Sequence, residues 1–200
     1  MERRKIGEQD IDRLFFTADL HLGHKKIFLP DYADRPWQDL ELMNEQLIDR
    51  WNRKVPKNGL VFVVGDLTMA EKDLDRFVPM LNGRILYVLG DHGLVKPGSK
   101  RAELFEGIYH LLRLSMPGDL PDIVLCHWAM RKWHKAHWGT WHLFGHSHGE
   151  LPPHGLSFDC GVDAPETDYT PMSYLDVLEQ MRMIRNSPGY KPVEHHGRSR

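Results

Sequence analysis

Cysteine is almost missing from this chain. Its 200 residues hold two, Cys126 and Cys160, each inside an apolar run. That excludes a disulfide scaffold and fits reduced, core-facing thiols in a reducing compartment. An excess of charge is missing too. Lys and Arg number 26 against 28 Asp and Glu, for a net charge of −2, so there is no general pull towards nucleic acid or an anionic membrane. No window approaches the roughly 20 apolar residues of a membrane span. The charged start, Met1-Glu-Arg-Arg-Lys, leads into no apolar signal stretch. The expected location is therefore cytoplasmic. Internal repeats and low-complexity tracts are also missing. What remains is 41% apolar and 27% charged, the balance of a globular chain long enough for one good core. Residues 1–186 are expected to form a single domain. Residues 187–200, with Pro188, Gly189, Pro192 and His195-His196, show no core-forming pattern and are expected to be loose.

Short apolar runs at 14–18, 60–64, 85–89, 108–114, 122–126, 140–144 and 156–160 predict buried strands. Trp37, Leu40, Met43, Leu47 and Trp51 recur at helical spacing, with Pro36 placed to open the helix, and predict an amphipathic helix over about 37–54. Further helices are expected over 70–81, stopped by Asn82-Gly83, over 99–106 with Ser99 as cap, and from Ser173-x-x-Asp176 to about 185. Alternating strands and helices imply a layered α/β domain with sheet inside and helices outside.

The chemistry collects at strand ends. Four runs finish on a metal-type side chain: Asp19 with His21, Asp66, Asp91 with His92, and His127. The run before Gly145 delivers His146 and His148, two apart and so on one side of an extended segment. Strand carboxyl ends gather along one edge of an open α/β sheet, where ligands bind. Carboxylates and imidazoles without a thiolate suit hard or borderline divalent ions. His92 aside, the seven such groups are too many for one tetrahedral ion and about right for two that share a carboxylate. Two ions about 3.5–4 Å apart bind phosphate oxygens, stabilise an in-line displacement and acidify a bridging water.

In order and spacing, Asp19-x-His21, Gly65-Asp66, Gly90-Asp91-His92, His127 and Gly145-His146-Ser147-His148 resemble the five motifs of the calcineurin-like metallophosphoesterases. The resemblance runs from about residue 13 to 182. Thr17-Ala-Asp-Leu-His-Leu-Gly-His24, Met43-Asn-Glu and Cys126-His-Trp-Ala-Met-Arg131 look like a small stand-alone bacterial or viral-type member. The resemblance implies a two-sheet α/β sandwich flanked by helices, with the site at the strand ends. It implies two divalent cations, Mn foremost, with Fe, Zn, Ni, Co or Mg as alternatives. Asp19, His21, Asp66 and His148 would hold the first. Asp66, Asp91, His127 and His146 would hold the second, so that Asp66 bridges. His92 would act as general acid or hold the scissile phosphate. The implied activity is hydrolysis of a phosphate ester by a bridging hydroxide, with a phosphodiester or nucleotide-type small molecule as substrate.

One motif departs from the family, which usually reads Gly-Asn-His followed by an acidic residue. Here Asp91 adds a third ligand carboxylate, and Gly93 removes the acid beside His92. Two divalent ions would then be one charge less positive, which predicts weaker activity or an unusual substrate. Two alternatives follow: a weakened scaffold that binds a partner, or a nuclease acting on single-stranded ends. Arg131 and Lys132 follow His127 closely and are candidates to hold phosphate, against the alternative of a solvated loop. His24, shortly after His21, is a candidate substrate-binding group, against an ordinary surface histidine. Trp128, Trp133, Trp138 and Trp141 interleave with His134, His137 and His142. They read either as a stacking surface for bases or as the packing of a long loop.

Overall fold

In the computed structural model, which describes residues 1–29 and 32–194, two five-stranded mixed sheets face each other. The first sheet contains β2 (Leu14–Thr17), β3 (Leu60–Val64), β4 (Arg84–Val88), β5 (Gly107–Tyr109) and β10 (Met172–Ser173), in the order β10-β2-β3-β4-β5. β2 to β5 run parallel and β10 antiparallel. The second holds β1 (Glu2–Lys5), β6 (Leu112–Ser115), β7 (Ile123–Leu125), β8 (Trp141–Phe144) and β9 (Ser157–Asp159), in the order β1-β6-β7-β8-β9. Here only the β6–β7 pair is antiparallel.

β2, β3 and β4 are apolar runs because both their faces are covered. Phe16, Phe62, Val64, Leu86 and Val88 point into the core between the sheets, where they meet Leu114, Ile123, Leu125, Leu143 and Phe158 of the second sheet. Phe15, Val61, Val63, Ile85 and Tyr87 point the other way, onto Met43, Leu47 and Trp51 of helix α1 (Leu40–Lys54). Helix α3 (Tyr174–Asn186) packs Tyr174, Val177, Met181 and Ile184 into the inter-sheet core. It opens on the expected capping box, in which Ser173 and Asp176 satisfy each other's backbone N–H groups.

Several expectations need correction. α1 starts at Leu40, not near 37, because Asp39 is its cap and accepts from the Leu42 N–H at 2.8 Å. The helix expected over 70–81 is a single α-turn, α2 (Leu74–Phe77), between two 3-10 turns; Pro79 cannot supply the N–H that would continue it. Residues 100–104 form a 3-10 helix, and Ser99 makes no side-chain cap. The single strand expected over 108–114 is two, β5 and β6, which lie in different sheets. β1 carries no apolar pattern and joins by backbone pairing to β6. The tail is not loose as far as it is described. Val193 is buried against Val124, Trp133 and Ala136, and Tyr190 packs on the main core. His195 and His196 lie outside the described residues. Among the described residues, no helix is long and apolar enough to cross a membrane.

Candidate metal centre

The in-phase register of β2, β3 and β4 pairs Thr17 with Val63 and Val64 with Val88. Asp19, Asp66 and Asp91 therefore leave neighbouring strand ends side by side. In the second sheet Leu125 pairs with Leu143, and His127 and His146 each follow two residues after their strand. The two sets meet where the sheets join. An isolated parallel bridge links Ala18 to Gly161, the Val162 N–H donates to the Ala18 carbonyl at 3.0 Å, and the Gly145 N–H donates to the His127 carbonyl at 2.9 Å.

The seven predicted side chains form one continuous cluster. Asp19, His21 and His148 make a triad whose donor atoms all lie within 4.8 Å of one another; Asp91, His127 and His146 make another. Asp66 stands between them. Its Oδ2 is 3.6 Å from His21 Nε2 and 3.6 Å from His127 Nε2, and its Oδ1 accepts the N–H groups of Asp91 and His92 at 2.8 and 2.9 Å. Two donors about 2.1 Å from a shared ion lie roughly 3–4 Å apart. The 3.6 Å separations match that spacing and exceed a normal hydrogen bond.

Three further observations bear on whether the cluster fits cations. Asp19 Oδ1, His21 Nε2 and His127 Nε2 are buried with no hydrogen-bond partner, a costly state that a cation would relieve. Asp19, His21, Asp66, His146 and His148 all have φ between 48° and 68°, so five of the seven sit in the left-handed region. Each is held against a local cost of order 1 kcal/mol. Third, the outer nitrogens of His127 and His148 are committed. His127 Nδ1 meets the Val64 carbonyl at 2.8 Å and His148 Nδ1 meets Asp163 Oδ2 at 2.7 Å. Donation from Nδ1 leaves the Nε2 lone pair facing inward, as metal-binding histidines are commonly arranged. Gly65 makes the first of these contacts possible: its φ is 98°, and a Cβ there would stand 2.0 Å from His127 Nδ1.

Burial holds the His21 and His127 imidazoles below their ordinary pKa, with Arg35 adding to the effect at His21. Both are therefore neutral at pH 7 and carry a free lone pair. Burial, with Asp159 and Asp66 nearby, pushes the Asp19 carboxyl well up. The ion-free cluster thus lacks positive charge, and a bound cation inverts that balance.

His92 is half-buried at the rim. Its ring centroid lies 5.5 Å from that of His21 and 6.3 Å from that of His24, and its carbonyl accepts from the Tyr87 hydroxyl at 3.2 Å. His24 is buried beside it, not on the surface. Gly93 is dictated by its surroundings. It has φ 59°, and a Cβ would come within 2.8 Å of the Thr68 carbonyl, so an acidic side chain has no room here. Arg131 and Lys132 are exposed. Arg131 is contacted at its carbonyl by His154 Nε2, and among the described residues no contact brings its guanidinium to the cluster. The tryptophans divide: Trp133 and Trp141 are core, whereas Trp128 and Trp138 are 42% and 72% exposed. Trp128 packs edge-on to His127 at 5.2 Å.

Sequence reasoning missed Arg35, Asp159 and Asp163. Asp159 Oδ2 accepts from Ser147 Oγ and the Gly149 N–H, bracing the loop that carries His146 and His148. Burial raises the Asp163 carboxyl, but the hydrogen bonds from His148 and Arg35 outweigh it and hold its pKa below the usual range. No motif spacing marks these residues; a buried Arg paired with an Asp 128 positions later leaves no local signal.

No protein-family model matches the chain. It is 27% identical over 127 residues to the uncharacterized protein MJ1445 of Methanocaldococcus jannaschii, covering 62% of this chain and 70% of that one. It is 26% identical over 168 residues to the gene 66 protein of Mycobacterium phage D29, covering 70% of this chain and 81% of the relative. The gene 66 protein of Mycobacterium phage L5 is 24% identical over 182 residues, with 75% and 86% covered. In three dimensions the chain is similar to a protein of unknown function, AQ665 from Aquifex aeolicus. The TM-score is 0.61 at 17% identity, over 84% of this chain and 98% of that one. That likeness concerns the fold alone.

Proposed function

We propose that this protein hydrolyses phosphate esters with two divalent cations, Mn foremost, on an α/β sandwich of the calcineurin-like metallophosphoesterase type. The observation that carries the reading is the gathering of seven side chains into overlapping triads, with Asp66 Oδ2 3.6 Å from His21 Nε2 on one side and 3.6 Å from His127 Nε2 on the other. The residues fit such a pair: the donors are oxygen and neutral imidazole, and three of them are buried without other partners. When bound, two such cations supply Lewis acidity towards phosphate oxygens and an acidified water.

The chain's own residues do the rest. Asp66 ties the two triads into one frame and, through its Oδ1, fixes the backbone of Asp91 and His92. With its backbone held at both N–H and carbonyl, His92 presents its ring at the rim, where it can hold the scissile phosphate or protonate the leaving oxygen. His24, kept from protonation first by burial and then by neighbouring His92, lines the wall beside it.

A nucleotide-type phosphodiester is the preferred substrate within this class. Trp128 offers an exposed ring against His127, on which a base can stack. The stretch from His127 to Gly149 carries Arg131, Lys132 and Lys135 and no acid, so it offsets the local carboxylates. Both cysteines are free thiols, in keeping with a reducing, cytoplasmic setting.

The test is Mn-loaded protein against a chromogenic phosphodiester, beside Asp66→Asn. Loss of a shared ligand should lower metal-dependent turnover by more than about 100-fold, the upper range for removing even a residue that only supports a ligand. Equal rates for the two proteins would dispose of the reading.

A further inference from the structure

The two triads are built unequally. In the first, the side chains of Asp19 and His21 are 0% and 4% exposed. His148 is 22% exposed. In the second, Asp91 and His146 are 40% and 52% exposed and only His127 is enclosed.

One buried pair braces the first triad. The Arg35 side chain is fully enclosed. Its Nε and Nη2 donate to Asp163 Oδ1 and Oδ2, both at 2.8 Å. Its Nη1 donates to the Leu20 carbonyl at 2.8 Å, and Nη2 also reaches the Asp19 carbonyl at 2.5 Å. Asp163 Oδ2 in turn takes His148 Nδ1 at 2.7 Å. One guanidinium therefore holds the left-handed turn at Asp19 directly and the His148 ring through a carboxylate. These two members of the first triad stand 129 positions apart in the chain. The planar, always-charged fork of arginine suits such a double grip. In the second triad the brace reaches only the His127 ring, through the Val64 carbonyl at 2.8 Å, and the Asp91 backbone, through Asp66 Oδ1 at 2.8 Å. Among the described residues, the polar contact of the His146 ring is Asp91 itself, at 2.9 Å, and its ring neighbours are His127 and Trp128.

We propose that Arg35 and Asp163 are positioning residues that preform the first triad, so that one cation binds tightly at Asp19, His21 and His148 and the other weakly and exchangeably at Asp91, His127 and His146. The inference rests on the two-cation reading above and adds an order and a cause. A ligand set already oriented loses less freedom on binding than one that must be gathered.

The experiment is calorimetric titration of metal-free full-length protein with Mn²⁺. The wild type should show two separable steps, the first at least tenfold tighter. Asp163→Asn should weaken the tight step 10–100-fold, the usual effect of removing a residue that orients a ligand, and leave the weak step in place. His146→Gln should do the reverse. The double variant Arg35→Met/Asp163→Leu removes both charges together, leaving neither buried alone, and should repeat the selective loss. Ring ¹⁵N shifts of His148 should report protonated Nδ1 in the metal-free wild type and a mixture of tautomers in the double variant; a merely structural pair would not move them. Two ions of equal affinity in the wild type overturns the inference but not the function. An unmoved tight step in both Asp163→Asn and the double variant does the same. A wild type that takes up no cation overturns both.

Discussion

The two sheets contribute different chemistry to the same place. The first brings all three carboxylates of the cluster, Asp19, Asp66 and Asp91, with one imidazole, His21. The second brings His127, His146 and His148. Neither sheet alone could hold a pair of cations, so the cluster exists only while the two sheets stay joined. The apolar core between them is thus part of the site. Phe62 is the clearest place to break that union. It is fully buried between the sheets and stacks on Phe16 with centroids 5.7 Å apart. Phe62→Ala should cost about 3–5 kcal/mol in chemical denaturation and should also weaken cation binding. A variant that loses stability while metal affinity holds would show that the strand-end bridges, not the core, fix the ligands.

The sheets also differ in what their strands bury. The first has no imidazole inside a strand. The second encloses His142 in β8, where Nδ1 meets the Val124 carbonyl at 3.0 Å and Nε2 accepts the Met130 N–H at 3.1 Å. Burial holds its pKa down to about 4. The unfolded value is about 6.5, so the unfolded chain binds the proton first as pH falls. The stabilisation is full above about pH 6.5 and drains as pH drops towards 4, by about 3 kcal/mol in all. Denaturation midpoints measured across that window should show the slope, and His142→Gln should flatten it. Parallel profiles for the two proteins would mean that another group carries the acid sensitivity.

This contrast also explains what could be read in the amino-acid order. β2, β3 and β4 are buried on both faces, so their residues are runs of apolar side chains that announce themselves, and Asp19, Asp66 and Asp91 follow at once. The second sheet is quieter. β1 is Glu-Arg-Arg-Lys, held by backbone pairing that no side-chain pattern encodes. β5 and β6 look like one run because nothing in the sequence marks a change of sheet between Tyr109 and Leu112. The seven clustered side chains were legible because strand ends converge by topology. Arg35, Asp159 and Asp163 were not, because their partners are distant in the chain and single charged residues ordinarily read as surface.

Trp128 lies just beyond β7, the central strand of the second sheet, and sharpens the comparison on the substrate side. A base stacked on this ring contributes roughly 1–3 kcal/mol. Trp128→Ala should therefore raise KM for a nucleoside phosphodiester about 5- to 150-fold, while a methyl ester with the same leaving group is little affected. Equal losses on both esters would make the ring a packing element for His127 instead.

The smallest effect comes from the first sheet's third carboxylate. Asp91 is the exposed member of the three, and its Oδ2 lies 3.9 Å from His127 Nε2 and 2.9 Å from His146 Nδ1. Asparagine there keeps an oxygen donor and removes one negative charge. At about 5 Å from a substrate phosphate, in a half-exposed site, one charge is worth roughly 1 kcal/mol. Asp91→Asn should then raise kcat/KM for a dianionic phosphomonoester about fivefold and less for a singly charged diester, since the gain scales with substrate charge. Added salt should shrink the gain, because an exposed charge is screened over about 10 Å at 0.1 M. Turnover that is unchanged for both esters would show that Asp91 acts as a plain oxygen ligand. Turnover that falls would show that the second cation needs the full carboxylate to stay bound, which is the outcome expected if its affinity, rather than phosphate attraction, limits the reaction.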